Sequence, residues 1–208
     1  MYLDVFSDNP FATNCWLAAT DGSDDAVVVD PGFAPARVWE MLAAVGKRPV
    51  AVLATHGHLD HIGSAAEICS DDLPLYIHAA DRLALTDAEA WGSGFPAPAV
   101  PVEIVREVFD GELLELAGLR IQVLHTPGHT PGSVCFRTDG IVFSGDLVFA
   151  GSIGRSDFPN SSPEDMRASL ERFLELPDEL PVHPGHGPAT TVGAERATNP
   201  FLVGVPWS

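Results

Sequence analysis

Residues 49–61 read PVAVLATHGHLDH, an apolar run from Pro49 to Ala54 that opens directly onto His56, His58, Asp60 and His61. A short continuous apolar run fits a strand buried on both faces, and the end of such a strand delivers side chains to a fixed point. Three imidazoles and a carboxylate packed this closely have no place in a core, because each would need a buried partner. A solvated polar loop is the bland alternative, and it leaves the spacing unexplained. The pattern points to a metal site.

Three later segments share one grammar: Thr126-Pro127-Gly128-His129-Thr130, Ser144-Gly145-Asp146 and Pro184-Gly185-His186-Gly187. Each sets a His or Asp in a glycine-containing turn after an apolar strand or loop, and glycine allows the sharp turns and close backbone approach that aim a side chain. A lone loop histidine is usually a surface histidine. Taken with the first motif, however, these segments supply five His and two Asp, enough for two metal ions. His125 and His183 flank the motifs, where they either orient ligands or serve the core. His78 reads as structural, with no partner that the sequence identifies.

Outward from the motifs, Asn14–Thr20 and Ala26–Asp30 read as strands, with a turn-rich stretch from Asp21 to Asp25 between them. Pro35 to Val45 has helical apolar spacing at Val38, Met41, Leu42 and Val45, with Gly46 as its stop. A helix is expected after the histidine motif through Ile68, a strand over Leu73–Ile77 and a further helix over Ala79–Ala90. Trp91 to Pro101 is too rich in proline and glycine for regular structure. Leu113–Leu116, Leu119–Leu124, Ser133–Arg137 and Ile141–Ser144 are strand candidates, the last two joined by an Asp139-Gly140 hairpin signal. Pro163 to Leu176 reads as a helix with Ser162 as its N-cap. Strands followed by a helix, twice over, suggest two packed sheets with helices outside, in one domain spanning 1–208.

The 208 residues carry 29 Asp+Glu against 11 Lys+Arg, a formal charge of -18, which disfavours nucleic acid and anionic membranes as partners. No apolar run is long enough to span a bilayer, and the N-terminus has neither the basic residues nor the apolar stretch of a secretory signal, so a cytoplasmic protein is expected. Cys15, Cys69 and Cys135 form no CxxC pair and read as buried small hydrophobes.

With these motifs in place, the chain resembles the metallo-β-lactamase superfamily. His56 to His61 matches the HxHxDH signature, and His129, Asp146 and His186 follow in the family's order. Within the superfamily, TPGHTPGS (126–133) and FSGDLVFAGSIGRSDFP (143–159) look most like the glyoxalase II-like hydrolases, also called hydroxyacylglutathione hydrolase-like. The resemblance implies an αββα sandwich of two mixed sheets with helices on the outer faces and the metals at one edge. It assigns His56, His58 and His129 to one ion, Asp60, His61 and His186 to a second, and Asp146 to both. It also implies that Asp30, in VVVDPG, lies under the site and bonds a ligand histidine; the alternative is a turn-initiating Asp. Only residues 187–208 follow His186, enough for one short helix and an extended end, so the C-terminal helical domain that helps bind glutathione in glyoxalase II is not expected.

The implied ions are divalent, zinc first, with iron and manganese the alternatives. A hydroxide bridging them would attack a carbonyl carbon, with Asp60 and Asp146 as the catalytic carboxylates. No Lys, Tyr or Cys lies inside the metal motifs to protonate a leaving group, and a thiolate needs little such help because its conjugate acid has a pKa of about 8.5. The expectation is a small anionic thioester such as S-lactoylglutathione, with Arg155 holding a substrate carboxylate. The rivals are a persulfide dioxygenase with one iron on His56, His129 and Asp146, a nuclease, which the charge disfavours, a β-lactamase, whose site Asp60 and Asp146 resemble less than they do the glyoxalase arrangement, and a non-catalytic metal-binding protein.

Overall fold

The computed structural model describes residues 1–87 and 100–203. Its first sheet runs, in spatial order, β1 (Tyr2–Phe6), β2 (Cys15–Ala19), β3 (Asp25–Val29), β4 (Arg48–Leu53), β5 (Leu75–His78) and β6 (Val105–Val108). Pairing is antiparallel from β1 to β3 and parallel from β3 to β6. The second sheet begins with the hairpin strands β7 (Leu113–Leu116) and β8 (Leu119–His125), then β9 (Val134–Arg137) and β10 (Val142–Gly145). Beyond the small separate hairpin of β11 (Val148–Phe149) and β12 (Ser152–Ile153), it is completed by β13 (Pro181–Pro184), parallel to β10, and β14 (Thr190–Thr191) at the far edge. Helices α1 (Pro35–Val45), α2 (Leu59–Ile62), α3 (Ala65–Ile68), α4 (Pro163–Phe173) and α5 (Val192–Thr198) complete the expected αββα sandwich.

Side chains that alternate along a strand divide the core in two. Val123, Phe136 and Phe143 point from the second sheet into the larger cluster, which they share with Val27, Val29 and Leu53 of the first. Their neighbours Leu124, Cys135 and Val142 face the other way, onto Met166, Leu170 and Phe173 of α4 and Val192 of α5. The caps follow the sequence: Gly46 closes α1 at φ 67°, and the Ser162 hydroxyl accepts from the Asp165 amide at 3.1 Å to open α4.

Several elements depart from the expectations. The helix after the histidine motif is two single-turn pieces, α2 and α3, with Gly63 and Ser64 between them. Ala79–Ala90 gives a 3-10 helix over Ala79–Leu85, and residues 88–90, like most of the Trp91–Pro101 loop, lie outside the described residues. The helix expected to reach Leu176 ends at Phe173, after which Leu176 turns into the smaller core cluster. In β4 only the last half is fully buried, because Arg48 is exposed and Pro49 and Val50 are partly so. Cys15 and Cys135 are buried as expected, whereas Cys69 is partly exposed. β1, β6 and β11 to β14 went unread in the sequence; most are short or at a sheet edge, where the apolar signal is weak.

Candidate metal centre

The site lies where β3, β4, β8, β10 and β13 end on one edge of the sandwich. Within each sheet these strands run in the same direction, so their carboxyl ends meet. The sheets are tied there by the Val134 amide, which donates to the Thr55 carbonyl at 2.8 Å. Gly185 lets the β13 loop close in: a Cβ on it would lie 2.3 Å from Asp146 Oδ1 and 2.6 Å from His61 Cε1.

All seven residues singled out in the sequence converge here. Nε2 of His56 lies 3.0 Å from Nδ1 of His58, which is 2.8 Å from Nε2 of His129. Beside this trio, His186 Nε2 is 3.2 Å and His61 Nε2 3.5 Å from Asp60 Oδ2. Asp146 spans the two groups, with Oδ1 3.4 Å from His61 Nε2 and Oδ2 3.5 Å from His129 Nε2 and 3.6 Å from His186 Nε2. Three donor sets, His56/His58/His129, His56/His61/Asp146 and Asp60/His61/His186, each fall within 4.8 Å and could hold an ion.

Surrounding groups settle which ring nitrogen faces inward. Asp30, buried at the end of β3 with φ 52°, accepts from His61 Nδ1 at 2.9 Å, and from the Thr55 hydroxyl at 2.7 Å and amide at 2.8 Å. The turn and the ligand-orienting role of Asp30 are therefore two aspects of one geometry. His129 Nδ1 donates to the Arg155 carbonyl at 2.7 Å, and Thr13 Oγ1 donates to Asp60 Oδ2 at 3.1 Å. With its Nδ1 so engaged, His61 turns a lone pair inward. That Nε2 and Asp146 Oδ1 are buried, close together and without a hydrogen-bond partner. Two such buried atoms facing each other are costly unless a proton or a metal cation lies between them, and with His56, His58, His129, His186 and Asp60 around them the donor set fits divalent metal.

The electrostatics divide the cluster. Burial pushes His56 and His58 down, His58 to about 3, and neighbouring imidazoles add to this. Burial also lowers His129, outweighing Asp146. At His61 and His186 burial acts in the same direction but is overcome by Asp60 and Asp146, so both rings are raised. Asp60 and Asp146 lie below the usual carboxylate range, because His61 and the other histidines outweigh burial. One side thus offers neutral nitrogen donors and the other attracts positive charge.

The flanking residues fall into place by contact. The Arg155 guanidinium is exposed, forks onto Asp157 at 2.8 and 3.1 Å, and lies over the Phe158 ring, which in turn edges His58 and His129. His125 donates from Nε2 to the Pro131 carbonyl at 2.9 Å, steadying the loop of His129, and stacks at 4.0 Å on His78, the partner His78 lacked in the sequence. His183 touches no ligand; it packs on Trp16 and Phe143. Sequence reasoning missed Thr13, Thr55 and the Arg155 carbonyl, and Asp81, whose carboxylate accepts from the Gly57 amide at 2.7 Å and the Thr130 hydroxyl at 2.6 Å. Single Thr and Asp residues carry no motif, and a carbonyl has no residue type.

A two-sheet sandwich with a His/Asp cluster at the strand ends defines a class of metal-binding hydrolase folds. The chain belongs to the metallo-β-lactamase superfamily, whose family model matches residues 8–186. It is 32% identical over 210 residues to the hydroxyacylglutathione hydrolase GloC of Haemophilus influenzae, covering 97% of this chain and 98% of that one. Among solved structures, the BLEG-1 B3 metallo-beta-lactamase superposes with a TM-score of 0.88 at 32% identity, covering 98% and 100% of the two chains. TTHA1623 in a di-iron-bound form gives 0.84 at 42% identity, covering 96% and 100%. Among the described residues no helix is long and apolar enough to cross a membrane.

Proposed function

We propose that the chain hydrolyses a small anionic thioester at a two-metal centre, with His56, His58 and His129 holding one divalent ion, Asp60, His61 and His186 the other, and Asp146 both. The observation that carries this reading is the unpartnered buried pair of His61 Nε2 and Asp146 Oδ1, 3.4 Å apart at the junction of the two groups. Bound there, divalent ions would supply a Lewis acid and bring the pKa of water down to about 7. Zinc suits the donors, and the di-iron form of a 42%-identical relative keeps iron beside it.

The chain's own groups prepare that chemistry. Asp30 and the Arg155 carbonyl each hold a proton on Nδ1, of His61 and His129 respectively, which keeps Nε2 free to coordinate. Phe158 lies edge-on against His58 and His129 and forms an apolar wall on that side. A substrate carboxylate would reach Arg155 by exchanging with the exposed Asp157, a replacement that costs little at the surface. The preference for a thioester rests on the leaving group: the metal motifs contain no Lys, Tyr or Cys, and burial has raised the nearby Cys15 thiol well above its ordinary value, with Asp30 adding to the shift. The likeness to GloC supports the same substrate class. Three free cysteines suit a reducing compartment such as the cytoplasm.

The test is hydrolysis of S-lactoylglutathione with metal analysis on the same preparation. Turnover with about two metals per chain is expected; no turnover with about one iron per chain would move the reading to persulfide oxidation at His56, His129 and Asp146. Asp146→Ala should lose both metal and turnover, and unchanged metal content would overturn the bridging role.

A further inference from the structure

Asp81 is fully buried on the 3-10 helix that follows β5, and it belongs to none of the three donor sets. Its Oδ2 accepts from the Gly57 amide at 2.7 Å and the Thr130 hydroxyl at 2.6 Å, and its Oδ1 accepts from the Gly132 amide. Gly57 lies between His56 and His58, and Thr130 directly follows His129. One carboxylate therefore joins the two loops that carry the whole His56/His58/His129 trio. Asp81 makes no bond to Asp60, His61 or His186 themselves, although the His56–His58 loop runs on directly into Asp60 and His61. Both loops are seated tightly: a Cβ on Gly132 would lie 2.4 Å from Asp81 Oδ1, and one on Gly57 2.7 Å from the Ala84 Cβ. A buried carboxyl with no cation beside it is costly, and its three donors offset that cost only while both loops stay in register.

We propose that Asp81 is a positioning residue that clasps the His56–His58 loop to the His129 loop and so sets the affinity of that trio, and not of the Asp60/His61/His186 trio, for its ion. The inference rests on the two-metal reading above. Thr13 supplies an internal contrast, since its hydroxyl bonds Asp60 alone among the seven.

The experiment is a chelator competition on the zinc-loaded protein, resolving the two ions, for the wild type, Asp81→Asn and Thr13→Val. Amide hydrogen exchange at Gly57 and Gly132 is followed in the metal-free forms. The Asn amide can keep one acceptor but turns an NH2 toward a backbone N–H. It is expected to weaken one ion by about 10–100-fold, leave the other unchanged and speed exchange at both glycines. Thr13→Val should weaken the other ion instead. Equal weakening of both ions, or of neither, in Asp81→Asn would overturn the proposal, as would unchanged exchange. If Asp81→Asn does not fold, Thr130→Val removes one clasp bond and should give the same one-sided loss, to a smaller extent. A wild type that binds neither zinc nor iron would refute the metal reading, while the exchange rates would still decide whether Asp81 clasps the loops.

Discussion

A buried imidazole is tolerated when neutral and penalised when charged, and His183 shows this away from the ligands. It is wedged edge-on against Trp16 at 4.6 Å, its Nδ1 has no partner, and burial pushes it down to about 4 from an ordinary 6.5. Between those values the unfolded chain binds more protons than the folded one. The stabilisation is complete above pH 6.5 and is lost as the pH falls toward 4. After allowance for partial solvent access it amounts to about 2 kcal/mol. His183→Phe is expected to remove this part of the acid loss, measured as the change in urea stability between pH 7.5 and pH 5 relative to wild type; parallel losses in both proteins would refute it.

At the scale of elements, the loop of His129 depends on α4. The Ser162 amide donates to the Gly128 carbonyl at 2.9 Å, and the Ser169 hydroxyl donates to the Pro127 carbonyl at 2.7 Å. Gly128 sits at φ 135°, where a Cβ would lie 2.3 Å from the Met166 backbone nitrogen. The position therefore excludes a side chain on two counts, conformation and space. Gly128→Ala should lift the loop off α4, costing about 3 kcal/mol and releasing the ion held with His129. Urea titration and metal analysis would check this, and a loss below about 1 kcal/mol would show that the helix can yield.

Over the whole molecule, 29 acidic groups face 11 basic ones, so like charges repel across the surface. Raising ionic strength from about 0.01 M to about 0.15 M shortens the screening length from about 30 Å to about 8 Å. The melting temperature should rise by a few degrees over that range, roughly 1 kcal/mol of relieved repulsion. A flat or falling melting curve in calorimetry would mean that favourable ion pairs such as Arg48–Asp25 and Arg172–Asp110 outweigh the net charge.

What the sequence determined by itself is local. His56 to His61 lie within six residues, and the turns around His129, Asp146 and His186 announce themselves by glycine and proline, so the converging residues were legible without a fold. The apolar periods likewise placed α1 and β7 with the limits the structure shows. Tertiary structure decided what depends on segments far apart in the chain. It set Asp30 under His61, Asp81 across two loops and Thr13 on Asp60, and it turned the carbonyl of Arg155, whose side chain was the expected contributor, toward His129. The reason is physical. A ligand motif needs particular side chains at close spacing, whereas a supporting hydrogen bond needs only a donor or acceptor that sheet packing brings within about 3 Å, and many residues can supply one.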